Sequence, residues 1–232
     1  MKVVQPSFEL LDHNNLLRVI ELGGRVCYKS EGQMGEGSDE RLIEKLKSLK
    51  HESVFEHGVI TVKFVTDRGV THELVRHRIA AFSQESTRYC NYGKDKFGNE
   101  ISVIEPFFFT AGSEKYKIWY DVCSGAEKGY LWLLEEGATA QEARSVLPNS
   151  LKTEIQVTAN VREWRHILRL RAGRDAHPQI RQIMVPLHWR LARSWPVLFA
   201  DLERQDHICP AQDITAPEFF DTCEKSDCLA AL

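Results

Sequence analysis

Apolar positions recur at helical spacing from residue 15 to 28, and the pattern breaks at a glycine-rich loop, Gly32 to Gly37. Ser38 then offers its hydroxyl as an N-cap, with Asp39 and Glu40 in a first turn whose dipole favours negative charge. The helix they open is predicted to run to about Lys50. Over residues 58–66 (GVITVKFVT) the period switches to two: Ile60, Val62 and Phe64 alternate with polar or smaller neighbours, as in a strand. Asp67 can cap the next helix, which holds Val70, Leu74 and Val75 and delivers Arg76-His77-Arg78. Residues 101–109 (ISVIEPFFF) read as another strand, and Pro106 puts it near an edge or a strand end.

A long helix over 114–136 would carry Tyr116, Trp119, Cys123, Tyr130 and Leu133 or Leu134 on one stripe. Thr139 with Glu142 is a capping-box pattern for a short helix that holds Arg144 and stops at Pro148. Lys152 to Thr158 alternates like a strand, and Asn160 with Glu163 repeats the cap signal before a helix ending near Arg171. Pro178 suits the first turn of a last long helix, in which Pro186 predicts a kink. Strands and helices mix without the regular alternation of a doubly wound sheet, so the class is α/β or α+β. No repeat or low-complexity linker interrupts the pattern, which predicts one domain over 1–210. The acidic stretch 211–232 is expected to be a loosely held tail.

The chain of 232 residues is long enough to bury roughly 70–75% of its unfolded surface. Its formal net charge of −3 announces neither a nucleic-acid nor a membrane partner. The cysteines at 27, 90, 123, 209, 223 and 228 form no Cys-x-x-Cys pair, which fits neither a zinc site nor a disulfide scaffold. The first dozen residues lack the apolar core of a secretory signal, and no apolar run approaches the ~20 residues that span a bilayer. These features predict a reduced, soluble, cytoplasmic protein.

Charge becomes informative where it is concentrated. Residues 162–193 hold eight arginines, two acids and no lysine, a local charge of +6. Arginine grips phosphate or carboxylate with a planar fork and stays charged when partly buried. The window is a candidate anion site or a solvated basic face, and composition does not separate the two. The run RHRIAAFSQESTRY, residues 76–89, joins three arginines and a histidine to hydroxyl and amide side chains where a helix gives way to an extended loop. Such a loop can cradle phosphate, or its Ser and Thr can satisfy local backbone groups. His72-Glu73 does not extend to a zinc-protease motif, because the residue four after His72 is Arg76 and His77 falls one place late. No metal is expected. Ser86 lacks a nucleophile elbow, and Cys90 and Cys209 are far more readily small buried hydrophobes than nucleophiles.

Read together, these pieces resemble the flavin-dependent thymidylate synthases. Arg76-His77-Arg78, seven intervening residues and Ser86 match that family's signature. Four more pieces occur in the family's order: HESVFEH (51–57), Glu142-Ala143-Arg144 before Leu147-Pro148, Asn160-Val161-Arg162, and Leu170-Arg171 followed by His177. They reach from about residue 25 to 195. The resemblance implies the thymidylate synthase-complementing fold, a central, mostly antiparallel sheet flanked by long helices. It further implies a cytoplasmic homotetramer whose shared active sites bind FAD, dUMP, 5,10-methylenetetrahydrofolate and NADPH, with no nucleic-acid polymer and no membrane involved.

Carried over by position, Arg76, His77 and Arg78 would face the flavin, with Arg76 also near the nucleotide. Ser53, Asn160, Arg162, His166 and His177 would complete the flavin site, joined by Gln84. Gln84, Glu85, Ser86, Thr87 and Arg88, with Glu73 and Arg144, would hold dUMP, Arg88 being the phosphate ligand. His51 would lie by the flavin ring and folate. Arg171 would sit against the uracil, favour ionisation at N3 and act as the catalytic residue. The chain departs from the commoner family pattern at Ala81, Ser83, Gln84 and His166.

Overall fold

A computed structural model of the chain describes residues 1–205. The acidic tail and Cys209, Cys223 and Cys228 lie outside the described residues. Short β1 (Lys2–Val4) and longer β2 (Ser7–His13) lead into α1 (Leu16–Tyr28) and α2 (Ser38–Ser48). After a 3-10 segment, Glu52–His57, come β3 (Val59–Asp67), α3 (Arg68–Leu74), β4 (Ala80–Gln84) and β5 (Ser102–Ile104). Then follow α4 (Glu114–Glu135), α5 (Ala140–Ala143), β6 (Lys152–Asn160), α6 (Val161–Arg171), α7 (Pro178–Ser194) and α8 (Pro196–Phe199).

The four-stranded sheet has the order β2-β3-β6-β4, and every pairing in it is antiparallel. Its period-two pattern is realised at the centre, where β3 and β6 pair from Val59↔Asn160 to Asp67↔Lys152. Ile60, Val62 and Phe64 of β3 and Ile155 and Val157 of β6 are fully buried. They share one core with Trp164, Ile167 and Leu168 of α6 and with Ile180, Ile183 and Leu187 of α7. Trp164 reconciles its indole with that interior by donating its Nε1–H to the carbonyl of Ile60 at 3.0 Å. Burying a side chain such as Phe64 or Ile167 contributes roughly 1.5–3 kcal/mol. A second cluster, including Tyr92, Val103, Cys123, Tyr130 and Leu151, packs α4 beside β5.

The predicted caps largely hold. Asp67 and Asn160 each accept a backbone N–H from the first turn they precede, and Thr139 and Glu142 form the reciprocal box; Asn15 and Ser113 are caps that the pattern does not single out. Ser38 does not cap its helix. Gly37 is the cap residue, at φ +63°, and the buried Ser38 hydroxyl accepts from Gly35 N–H and donates to Glu21 at 2.7 Å.

Three strands escape the pattern analysis. β1 is only three residues long. β2 is an edge strand, from which Phe8 and Leu10 pack against the core while the remainder faces outward. β4 lies within the supposed extended loop, its weakly apolar AAFSQ pairing with β6 from Ala80↔Ala159 to Gln84↔Ile155. The proposed strand 101–109 shrinks to Ser102–Ile104, which pairs in parallel with β1. Pro106 ends it, and Phe109 N–H closes a turn onto the Pro106 carbonyl at 2.9 Å. Helix α7 starts at Pro178 as expected and continues through Pro186 as one element.

Candidate active site

The site is built where the antiparallel sheet hands the chain to α3. Asp67 Oδ1 accepts from Val70 N–H at 2.7 Å and starts the helix. Its last turns carry Glu73, then Arg76 and His77, whose amides bond back to Glu73 and Leu74. Within Arg76-His77-Arg78 the two arginines are exposed and the histidine is buried. β4 then returns to the sheet and ends at Gln84, whose amide donates to Thr71 of α3 at 2.9 Å and Thr153 of β6 at 3.3 Å. Gln84 therefore ties the signature loop to both of its supports.

Arg171, at the C-terminal end of α6, reaches across to this turn. Its Nη1 lies 2.7 Å from Glu73 Oε2, its Nη2 donates to the Glu73 carbonyl at 3.2 Å, and its Nε donates to His77 Nε2 at 3.0 Å. A guanidinium has no acceptor, so His77 Nε2 must carry a lone pair there. The neutral imidazole then has its proton on Nδ1, which faces Glu163 Oε1 at 3.5 Å. Burial lowers the His77 pKa to about 4, with Arg171 and His166 adding to the effect. At neutral pH His77 is thus an uncharged acceptor for Arg171.

A second cationic group gathers at the turn after β4. The Ser86 carbonyl accepts from the amides of Tyr89 and Cys90, which folds the chain back and buries Thr87. Arg144, positioned by the boxed helix α5, donates to Thr87 Oγ1 at 3.4 Å. Arg88 Nε donates to Gln141 Oε1 at 3.1 Å. Two arginines distant in sequence thus meet around one hydroxyl-bearing turn, which is the donor set an oxyanion requires. Glu85 points elsewhere: its carboxylate accepts from Tyr92 Oη at 2.9 Å and Lys152 Nζ at 3.3 Å. Those three side chains line a cavity of about 290 Å³ together with Glu154 and Cys90.

The remaining predicted residues surround the Arg171 turn in different ways. Asn160 spends its side-chain oxygen on the α6 cap, accepting from Glu163 N–H at 2.9 Å. His166 is exposed and meets His77 edge-on at 5.6 Å between ring centroids. Arg162 is half exposed and pairs with Glu56 at 2.6 Å. Ser53 and His51 are exposed at the neighbouring 3-10 segment, His51 Nδ1 lying 3.4 Å from Tyr28 Oη. His177 caps α7 and packs edge-on against Phe108.

The arginine-rich window is not a single anion site. Arg165 is buried and bonds both carboxylate oxygens of Asp201, at 2.8 and 2.7 Å, as well as the Leu198 carbonyl. Burial lowers the pKa of Arg169. Arg171 alone of these three reaches the signature turn.

Glu163 is the residue that pattern reading missed. The local pattern gives it only a helix-cap role, and its contact with His77 joins residues far apart in sequence. His77, Glu163 and His166 also bring potential metal-ligand atoms within 4.8 Å of one another. In this arrangement Arg171 occupies the Nε2 lone pair of His77, and a neutral ring then keeps its proton on Nδ1. The donor set fits a flavin better. Exposed Arg76, Arg78 and Arg162 supply positive charge for a pyrophosphate, and exposed Val75, Ile79 and Leu170 supply apolar surface for a ring system.

Comparison with known proteins shows the family. Residues 9–197 match the family model described as "Thymidylate synthase complementing protein", and the chain belongs to that family. A flavin-dependent thymidylate synthase from Geobacter sulfurreducens is 32% identical over 189 residues, 78% of this chain and 80% of that protein. One from Mycobacterium avium is 31% identical, over 80% of this chain and 79% of its own length. Among solved structures, a UMP/dUMP methylase from Streptomyces cacaoi bound to 5-Br dUMP superposes with a TM-score of 0.74 at 24% identity. That match covers 90% of this chain and all of the other, and it gives the same fold.

Proposed function

We propose that this chain is a flavin-dependent thymidylate synthase that methylates dUMP to dTMP. In this reading it uses FAD, takes its carbon from 5,10-methylenetetrahydrofolate and its reducing equivalents from NADPH. The observation that carries the reading is the convergence of Arg171, Glu73 and His77 at the end of α3, the helix to which Gln84 ties the signature loop. Family membership supports it, because His77 and Arg171 sit on the family's ordered motifs.

Within it, Arg88, Arg144, Ser86 and Thr87 bind the nucleotide phosphate, and Gln84 holds their turn to α3 and β6. Three of the five N–H groups of Arg171 are engaged by Glu73 and His77. One N–H remains on each terminal nitrogen. In this reading the free pair is the fork that meets a uracil edge, where it would stabilise negative charge developing at N3 and its neighbouring carbonyl. His77 stays neutral and so adds no competing positive charge beside that fork. FAD, when bound, supplies the hydride chemistry, and Arg76, Arg78, Arg162, Ser53, His166 and His177 would hold it. His51 completes the proposed folate surroundings, and Glu85, whose carboxylate is held by Tyr92 and Lys152, contributes to the nucleotide turn through its place in the chain. No protein nucleophile and no metal are required.

The working unit in this proposal is a cytoplasmic homotetramer with active sites shared between subunits. Large apolar side chains bordering the site, Ile79 at 70% and Tyr89 at 78% exposure, support a covering partner. Among the described residues no helix is long and apolar enough to cross a membrane. An absorbance spectrum of the purified protein, followed by NADPH oxidation with and without dUMP, tests the function. A flavin spectrum and dUMP-dependent oxidation are expected; a colourless protein that FAD does not reconstitute contradicts it.

A further inference from the structure

We propose that Glu163 is a positioning residue for this reaction: its carboxylate accepts the Nδ1–H of His77 and so steadies the imidazole on which Arg171 rests. The inference rests on the thymidylate synthase reading above. It begins with a cap that is only half made. Glu163 stands three residues after Asn160, where a capping-box glutamate turns back to the cap residue's N–H. Glu142 does so, accepting from Thr139 N–H at 2.8 Å. At Asn160 only the forward bond forms, from Glu163 N–H to Asn160 Oδ1. The Glu163 carboxylate turns inward instead. It is 7% exposed, and its Oε1 faces His77 Nδ1 at 3.5 Å.

A buried carboxylate without a donor is costly, and burial does push the Glu163 carboxyl pKa up. The donor on offer is fixed by Arg171, whose Nε–H forces the His77 proton onto Nδ1. Glu163, His77 and Arg171 therefore form a directional chain from the first turn of α6 to its last residue. A separation of 3.5 Å is longer than a full hydrogen bond. Contacts of this kind tighten when a site is loaded. At 7% exposure Glu163 offers little surface to a substrate or cofactor, so it acts through His77.

The test compares Glu163→Leu, which removes the acceptor, with Glu163→Gln, which keeps one carbonyl oxygen at the same reach. Flavin content, kcat, KM for dUMP and the proton NMR signal of His77 Nδ1–H are measured on the loaded enzyme, with His77→Asn assigning the signal. Glu163→Leu is expected to lose about 10- to 100-fold in kcat, the range seen when a histidine's orienting partner is removed. Its KM for dUMP should stay within about twofold, and the downfield Nδ1–H signal should vanish. Glu163→Gln should recover most of the rate and keep a shifted signal. Wild-type kcat in Glu163→Leu, a rate loss that only follows flavin loss in both variants, or an unchanged Nδ1–H signal overturns the proposal. If the wild-type protein makes no dTMP, the functional reading fails, and the NMR signal still decides whether Glu163 holds His77.

Discussion

Arg171 Nη1 lies 2.7 Å from Glu73 Oε2, so the last residue of α6 is clamped by the last turn of α3. The clamp takes both the carboxylate and the backbone carbonyl of Glu73, and it fixes the plane of the guanidinium. Arg171→Ala is accordingly expected to retain flavin while kcat falls roughly 100- to 1,000-fold, the cost of removing one preorganised donor of this kind. Arg171→Lys should restore little, because an ammonium cannot reproduce the fork. Steady-state turnover alongside the flavin absorbance checks both, and unchanged turnover in Arg171→Ala removes it from the mechanism.

Arg88 and Arg144 predict a different kinetic signature. If they bind phosphate, Arg88→Ala and Arg144→Ala should each raise KM for dUMP by about 10- to 100-fold, the worth of a hydrogen bond to a charged group. Flavin content should not change. A loss confined to kcat would place these arginines in the chemical step.

His77 makes stability depend on pH in a definite direction. Burial, then Arg171 and His166, hold its folded pKa at about 4 against 6.5 for the free side chain. Between those values the unfolded chain takes up a proton that the folded chain refuses. Stability from this group is therefore full above about 6.5 and declines as pH falls toward 4. Glu163, raised by burial, works in the opposite sense. Urea midpoints measured from pH 7.5 to 4.5 should fall more steeply for the wild type than for His77→Asn; equal slopes would contradict the assignment.

Arg165 and Asp201 test the structural share of the arginine-rich window. Burial would raise the Asp201 pKa, but Arg165 and Lys47 outweigh it and hold the carboxyl below its usual range. Asp201→Leu leaves the Arg165 charge buried and should cost about 3–5 kcal/mol in urea unfolding. Adding Arg165→Met should recover much of that loss. A double variant no better than the single would argue against an unpaired charge as the cause.

Legibility in the sequence followed the range of the interactions involved. The caps at Asp67, Thr139 and Asn160 and the alternation of β3 and β6 are local signals, and all became structure. β2 and β4 are edge strands with one thin apolar face each, so only pairing with β3 and β6 defines them. Arg171 was singled out by its motif, but its acceptors come from Glu73 and His77 on another helix and turn. Glu163 was hidden by a sound local rule, since its backbone obeys the cap while its side chain serves the site. The eight arginines of residues 162–193 looked alike by composition, and burial separates Arg165 from Arg171.

The most direct measurement of the central claim is chromatographic detection of dTMP formed from dUMP by wild-type protein and by Arg171→Ala. Both carry FAD, and methylenetetrahydrofolate and NADPH are omitted in turn. Wild-type protein should form dTMP only with the complete set, and Arg171→Ala should form at most about one hundredth as much per unit time. No dTMP from flavin-loaded wild-type protein, or equal rates from the two, would contradict the account.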